Sequence, residues 1–274
     1  MYEVRDDKLK LDHGSINERL IAVASGKGGV GKSTVTANLA VALTRMDKKV
    51  GIIDADVHGF SIPRIIGLNE EAGAKNDEEI IPPEEKGIKV ISMGSFVAED
   101  NPVIWRAPLL AGALEQFITD VHWGELDYLL LDLPPGTGDM ALNIMQKLPH
   151  AETIVVTTPQ ITAANVAGRI GKLADKLDAE NLGVIENMSY YECPDCGNKE
   201  YIFGKGGGQE LAEKLDTDFL GQLPLITEIR EGGDEGNTVV ENEKVGDAFL
   251  NIAENVINNI SDFDPDKKPV QLKK

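Results

Sequence analysis

The chain alternates short apolar runs with longer amphipathic stretches. Six runs of four or five residues are rich in Val, Ile and Leu and lack polar alternation, which is typical of strands covered on both faces. These runs occupy residues 20–24, 50–53, 88–92, 128–131, 153–157 and 182–185. Apolar positions recur at helical spacing over residues 33–46, 107–120, 160–177, 207–216 and 241–260. The alternation predicts an α/β fold, a mostly parallel, doubly wound sheet flanked by helices on both faces.

The remaining segments are polar. Residues 70–87 include Pro82 and Pro83 among many acidic side chains and predict an exposed loop. We expect residues 1–19 to form a flexible N-terminal extension and residues 261–274 a polar C-terminal tail. One domain, residues 20–260, accounts for the rest of the chain.

The net charge and the hydropathy of the chain limit the kinds of partner that we expect it to bind. The 274 residues contain 27 Lys and Arg against 46 Asp and Glu, a formal net charge of −19. Such a surface repels a phosphate backbone, so we expect no nucleic acid partner. No apolar run approaches the roughly 20 residues that span a bilayer, so we expect no membrane partner. The first ten residues carry charges and no hydrophobic stretch, unlike a secretory signal, which favours a cytoplasmic location.

A phosphate-binding loop lies between the first predicted strand and the first predicted helix. Residues 26–33 fit the pattern G-x-x-x-x-G-K-[ST] in the context that this motif requires. Backbone N–H groups of such a loop and the helix N-terminus bind phosphate oxygens, so the fold is predicted to be that of a P-loop NTPase. Lys32 would reach the β- and γ-phosphates of ATP, and Ser33 would offer its hydroxyl to Mg²⁺. The predicted nucleotide-binding residues here are Gly26, Lys27, Gly28, Gly29, Val30, Gly31, Lys32, Ser33 and Thr34.

Acidic residues follow two other predicted strands. Asp54 and Asp56 close the second strand, where side chains face the ligand crevice of a doubly wound sheet. Asp132 ends another strand, as a Walker-B carboxylate does, and could hold Mg²⁺ through water. Gly136 and Gly138 lie in the stiff turn that follows, and they are candidate switch residues that register the γ-phosphate. The competing interpretation of each aspartate is a helix N-cap.

The two cysteines of the chain are Cys193 and Cys196. Their spacing lets both sulfurs converge on one metal ion or cluster, but a closed tetrahedral site needs four ligands. Two copies of the pair on a two-fold axis would supply them. A thioredoxin-type redox pair, a structural zinc site at the same axis and two inert thiols remain alternatives.

Lys27 adds a second lysine to the phosphate loop. The pattern K-G-G-x-G-K-[ST] resembles the deviant P-loop class, whose signature lysine reaches across a dimer to the partner's nucleotide. The alternative is a solvated lysine on a loop. If the resemblance holds, dimerisation is part of catalysis.

Motifs along nearly the whole domain resemble those of the Mrp/ApbC family of iron–sulfur cluster carriers. They include the phosphate loop, the segments 54–59 and 127–139, the Glu-Asn-Met-Ser sequence at 186–189 and the cysteine pair. The resemblance implies an ATP-hydrolysing homodimer that binds a [4Fe–4S] cluster between its subunits and delivers it to apo iron–sulfur acceptor proteins.

The resemblance also implies roles for individual residues. Lys27, Lys32 and Asp56 would be catalytic, with Asp56 orienting or deprotonating the attacking water. Asp54 would lie near the Mg²⁺ shell, as Ser33 and Asp132 would. Asn187 and the loop after Pro224 would contact the adenine. Cys193 and Cys196 of each subunit would be the cluster ligands.

Two other classes of function share the phosphate loop. A positioning ATPase of the MinD/ParA type, without a cluster, would need a basic amphipathic tail or a basic DNA-binding face. An ATP-gated electron donor like the nitrogenase iron protein carries cluster cysteines far apart in sequence. Here they lie in a single loop.

Overall fold

The fold is described from a computed structural model of the chain. It describes residues 3–5, 8–10, 19–57, 59–75, 79–96, 107–136, 148, 151–160, 168, 180–242 and 245–260. Within this part of the chain, no helix has the length and apolar character needed to cross a membrane.

A central sheet of eight strands confirms the predicted fold class. Its strand order is β14-β11-β10-β3-β9-β4-β8-β7, with the phosphate-loop strand β3 near the middle. All neighbours are parallel except β7, which pairs antiparallel with β8 at one edge. The strands are β1 (Glu3–Arg5), β2 (Lys8–Lys10), β3 (Arg19–Ser25), β4 (Val50–Asp54), β5 (Gly73–Lys75), β6 (Glu79–Ile81), β7 (Glu84–Glu85), β8 (Ile88–Ser92), β9 (Tyr128–Asp132), β10 (Glu152–Thr157), β11 (Asn181–Glu186), β12 (Tyr191–Glu192), β13 (Lys199–Glu200) and β14 (Phe219–Gln222).

Helices cover both faces of this sheet. Successive side chains of β3 alternate between two apolar clusters, because neighbouring residues of a strand point to opposite faces. Ile21 and Val23 pack into the cluster that contains α1 and α6. Leu20 and Ala22 pack into the cluster that contains α3. The described helices are α1 (Lys32–Arg45), α2 (Ile62–Ile66), α3 (Ala107–Thr119), α4 (Gly207–Lys214), α5 (Thr227–Glu235) and α6 (Gly246–Asn259).

The prediction for residues 70–87 is wrong about the loop, although several of these residues, such as Glu70 and Glu84, are exposed as expected. The segment contains the antiparallel pair β5–β6 and the edge strand β7. Ile80 causes the difference, because its apolar side chain packs against the α3 cluster and its backbone bonds to Asp120 and His122. The many acidic side chains of this segment gave no sign in the sequence that Ile80 would be anchored.

Other boundaries also differ from the sequence predictions. The last helix begins at Gly246 rather than residue 241, because residues 239–241 form a 3₁₀ turn. In the N-terminal extension, where we predicted flexible chain, β1 pairs antiparallel with β2. Most of the helix predicted over 160–177 lies outside the described residues. The sequence patterns missed α2, α5 and β14.

Gly67 permits a close contact between α2 and α5. It ends α2 in the left-handed region, with φ +77°, and a Cβ atom there would lie 2.6 Å from the carbonyl oxygen of Gly236. We predict that Gly67→Ala lowers the free energy of unfolding by about 2 kcal/mol or more, through backbone strain and this clash. Urea unfolding measures the change.

Gly112→Ala is the matched control for this prediction. Gly112 lies within α3, and a Cβ atom there meets nothing within 4 Å. Since alanine favours a helix, the control should keep or raise stability by up to about 1 kcal/mol. Equal unfolding midpoints for the two variants would contradict the packing argument.

Candidate nucleotide and metal-cargo sites

The phosphate loop follows β3 directly and ends where α1 begins. Gly29 and Gly31 take φ values of +80° and +81°, which the tight curl of the loop requires. A side chain at Gly31 would also collide with the amide of Asn187. The predicted loop residues therefore form a loop at the carboxyl end of the sheet, in the setting that phosphate binding needs.

Asp132 holds the end of the loop and the start of α1 against β9. Its Oδ2 lies 2.7 Å from Nζ of Lys32 and accepts a hydrogen bond of 2.6 Å from Oγ of Ser33. Its Oδ1 accepts a bond of 2.7 Å from Oγ1 of Thr36. Asp132 is completely buried, and Lys32 is only 5% exposed. Thr36, one helical turn after Lys32, is a site residue that the motif did not reveal.

Asp54 lies beside Asp132 on the neighbouring strand β4, in direct register. Its side chain accepts hydrogen bonds from the backbone N–H groups of Ser61 (3.1 Å) and Ile62 (3.2 Å), at the start of α2. Burial, followed by the charge of Asp132, raises its pKa to about 7. A second carboxylate thus lies close to the Lys32–Asp132 pair, an arrangement suited to a divalent cation.

Asp56 is also buried, two residues beyond Asp54, and its backbone N–H donates to Oδ1 of Asp54 at 3.3 Å. Gly136 follows β9 with φ +99°, and its N–H donates to the carbonyl of Ser25 at 2.8 Å. Both therefore belong to the same edge of the sheet as the phosphate loop. Gly138, the other switch candidate, lies outside the described residues.

Lys27 reaches a partner within its own chain. Its Nζ donates to Oε1 of Gln160 at 3.0 Å, just beyond β10. The side chain of Ser25 donates to the carbonyl of Lys27 at 3.1 Å. The side chain of Lys27 therefore bonds a neutral amide, whereas that of Lys32 pairs with a buried carboxylate.

A cavity of about 380 Å³ opens beside the loop. Gly31 and Thr34 line one side, and the two residues predicted to contact a base, Asn187 and Pro224, line another. Nδ2 of Asn187 donates to the carbonyl of Val30 at 2.8 Å, which joins this wall to the phosphate loop. The remaining lining is mostly apolar, as a planar base requires. It consists of Ser61, Arg64, Ile65, Met188, Leu225, Ile226, Ile229, Arg230, Gly233 and Asp234.

The cysteine pair occupies the tip of a hairpin formed by β12 and β13. The N–H of Cys193 bonds the carbonyl of Asn198 at 2.9 Å, and the N–H of Gly197 bonds the carbonyl of Cys193 at 2.8 Å. Backbone N–H groups of Asp195 and Cys196 hydrogen-bond the Cys193 sulfur and lower its pKa, with a further contribution from the Cys196 thiol. These contacts favour the thiolate, which is the form that binds metal.

The cysteine pair has no third metal-binding side chain beside it in the described part of the chain. Among the described residues, no group of three or more His, Cys, Asp and Glu side chains could hold a metal ion. The pair lies between two strands rather than at the start of a helix, where a thioredoxin-type pair would be expected. Both cysteines are free thiols, and Cys196 is exposed.

The fold and the loop define a nucleotide-binding protein of the P-loop NTPase class. A model of the NUBPL iron-transfer P-loop NTPases, within the ParA group, matches residues 17–257, and the chain belongs to this family. The resemblance found in the sequence is therefore confirmed at the level of the family.

Individual relatives agree with this assignment. The "Iron-sulfur cluster carrier protein" of Bacillus subtilis is 50% identical over 237 residues, which are 86% of this chain and 67% of the relative. The protein of the same name from Pyrococcus horikoshii is 44% identical over 259 residues, 90% of this chain and 88% of the relative. The chain therefore spans only about two thirds of the bacterial relative.

A solved structure of a nucleotide-binding protein from Archaeoglobus fulgidus, in complex with ADP, superimposes with a TM-score of 0.71. Its sequence is 42% identical, and the match covers 81% of this chain and 88% of that chain. It independently supports the nucleotide-binding fold.

The buried carboxyl of Asp54 yields a pH prediction. Because its pKa is about 7 in the folded state and 3.8 ordinarily, the folded protein holds an additional proton between these values. The contribution of this group to stability is complete below about pH 4 and is lost as pH rises to about 7, a change on the order of 4 kcal/mol. Asp54→Asn should remove that contribution and flatten the pH dependence of the unfolding free energy, measured by urea titration without nucleotide.

The control is Asp47→Asn, at an exposed aspartate in the left-handed region after α1, which asparagine also tolerates. It should keep the wild-type pH dependence. If Asp54→Asn and Asp47→Asn give parallel profiles, the buried carboxyl is not the cause.

Proposed function

We propose that this chain is an ATP-hydrolysing, homodimeric carrier that binds a [4Fe–4S] cluster between its subunits and transfers it to apo-proteins. The observation that carries the proposal is the cysteine hairpin, which adds a two-thiol half-site to a P-loop ATPase domain. The names of the relatives from B. subtilis and P. horikoshii support the same function.

In this proposal, the carboxyl edge of the sheet binds and hydrolyses ATP. Lys32 leaves its pairing with Asp132 for the β- and γ-phosphates, which compensate its charge. Ser33, with Asp54 and Asp132 behind it, would hold Mg²⁺, which neutralises charge on the phosphate oxygens. Asp56 would orient the attacking water, and the turn containing Gly136 and Gly138 would respond to the γ-phosphate.

Asn187 and Pro224 support the assignment of the base-binding side. Both line the 380 Å³ cavity next to Thr34, at the end of the phosphate loop. A triphosphate held by the loop would therefore place its base in this cavity. The residues proposed to bind the phosphates and those proposed to bind the base could thus serve one nucleotide.

The cluster is cargo and needs two chains. Each hairpin offers two sulfurs, Cys193 and Cys196, whereas a [4Fe–4S] cluster takes four cysteine ligands. Two hairpins related by a two-fold axis satisfy this requirement. The exposed position of Cys196 is consistent with handing the cluster to an acceptor.

Lys27 would link dimer formation to hydrolysis by reaching the nucleotide of the partner subunit. Its hydrogen bond to the neutral Gln160 is weak compared with an ion pair, so it can be exchanged for a phosphate contact. The two alternatives, a positioning ATPase without a cluster and an ATP-gated electron donor, gain no support from relatives named as carriers.

Two variants should separate the cargo site from the nucleotide site. After anaerobic reconstitution, we predict that Cys193→Ser loses the cluster, measured as iron and acid-labile sulfide, but keeps ATP hydrolysis. Lys32→Ala should keep the cluster and lose hydrolysis. Each variant is the control for the other, and a Cys193→Ser protein with the wild-type iron content would refute the assigned ligands.

A further variant addresses the role of Lys27. We predict that Lys27→Ala binds ATP within about threefold of the wild type but hydrolyses it slower by on the order of 10³, as for the loss of a charge-stabilising finger. Binding is measured with a fluorescent ATP analogue and hydrolysis by phosphate release.

Lys49→Ala is the control, because Lys49 lies at the other end of the sheet and pairs with Glu125 on the surface. The Lys49→Ala protein should bind ATP and hydrolyse it as the wild type does. A Lys27→Ala protein that loses binding and turnover equally would indicate that Lys27 acts only within its own subunit.

A further inference from the structure

Glu186 is a buried carboxylate that the proposed ATP and cluster chemistry does not use. It ends β11 and has no exposed surface. Its Oε1 accepts hydrogen bonds from Oγ of Ser189 at 2.5 Å and from Nε2 of Gln222 at 3.1 Å. Its Oε2 accepts one from the backbone N–H of Gly208 at 2.5 Å. Such a complete set of donors stabilises a carboxylate in a dry interior.

Two of these donors lie at the two ends of the segment that carries the cysteines. Ser189 comes directly before residues 190–207, here called the cysteine segment, and Gly208 comes directly after it. The segment includes the β12–β13 hairpin and the start of α4. The side chain of Glu186 therefore holds both ends of the cysteine segment: Oε1 bonds the residue before it and Oε2 the residue after it.

The contact at Gly208 is tight. A Cβ atom at this glycine would lie 2.7 Å from Cβ of Glu186. The backbone of α4 thus approaches β11 as closely as a residue without a side chain allows. The position of the far end of the cysteine segment depends on this contact.

The near end of the segment is joined to the cavity wall. The N–H of Leu225 bonds the carbonyl of Tyr190 at 2.7 Å, and the N–H of Ser189 bonds the carbonyl of Leu223 at 2.9 Å. Met188 and Leu225 line the cavity beside the phosphate loop. Any movement of this wall therefore acts on the first residues of the cysteine segment.

Asn187 completes the connection to the loop. It follows Glu186 in the chain, and its side chain bonds the carbonyl of Val30. Met188, the next residue, has φ +54°, an unfavourable value for a non-glycine residue. Strained turns of this kind persist where neighbouring contacts determine them, and their energy makes them responsive to a change in those contacts.

We propose that Glu186 is a positioning residue, which fastens both ends of the cysteine segment to the strand that carries Asn187. Nucleotide in the cavity thereby changes the accessibility of Cys193 and Cys196. The inference rests on the proposed function for its nucleotide site and deepens it, because it names the route by which ATP acts on the cargo site.

The test measures thiol alkylation in the cluster-free protein. Iodoacetamide labelling of Cys193 and Cys196 is followed by mass spectrometry, with and without a non-hydrolysable ATP analogue and Mg²⁺. In the wild type, the analogue should change the labelling rate of at least one cysteine by about fivefold, the scale of ordinary coupling between sites.

Glu186→Gln should abolish this response. The amide keeps the volume but has one acceptor oxygen, so one end of the segment loses its bond. The labelling rates with and without the analogue should then differ by less than about 1.5-fold. The affinity of the variant for the analogue should stay within about twofold of that of the wild type. Glu210→Gln, an equal change of charge on the exposed face of α4, should behave as the wild type.

Ser189→Ala tests the near end alone and guards against a Glu186→Gln protein that does not fold. It should give a response between those of the wild type and Glu186→Gln. The inference is overturned if both variants change their labelling rate with the analogue as the wild type does. If Glu186→Gln does not fold, a wild-type change in Ser189→Ala alone overturns it. The inference is also overturned if the wild type binds the analogue without any change in the labelling of its cysteines. A wild type that binds no nucleotide contradicts the proposed function instead.

Discussion

The position of the nucleotide site depends on one buried carboxylate, Asp132. It compensates the charge of Lys32 and accepts hydrogen bonds from the hydroxyl groups of Ser33 and of Thr36, which lies in the next turn of α1. A buried lysine without a carboxylate would be costly, and so would a buried carboxylate without donors. The pairing therefore fixes the end of the phosphate loop against β9. Asp54 lies in register with Asp132 on the next strand, so two buried carboxyl groups meet at the same edge of the sheet.

Sequence reasoning was most successful where the physics is local or repeated. The strands are continuous apolar runs because helices cover them on both sides, and the phosphate loop has a fixed spacing because its backbone must curl around phosphate. Short elements were missed because tertiary contacts determine them. The helix α2 is only five residues long, its start is held by the side chain of Asp54, and its end depends on the contact between Gly67 and Gly236.

The connections between sites were also beyond sequence reasoning. Gln160 and Lys27 are separated by 133 positions in the chain, and nothing in their local patterns joins them. Glu186 belongs to a recognisable motif, but its bond to Gly208 forms only through the packing of α4 on β11. By contrast, the short spacing of Cys193 and Cys196 is visible in the sequence, and it predicts that both thiols lie in one loop. Its hairpin geometry and the backbone donors to the Cys193 sulfur required the folded chain. The position of single motifs could thus be predicted from the sequence, whereas the contacts that connect the motifs could not.

In the proposed function, two copies of the chain share the cargo, since one copy provides two sulfurs. Native mass spectrometry of the anaerobically reconstituted protein tests it most directly, because it counts chains and cluster atoms in the same particle. If the cluster is shared, four iron and four sulfide atoms will appear only on particles of two chains, with one cluster per pair, and single chains will carry none. A complete cluster on a single chain, or two clusters on a pair, would contradict it.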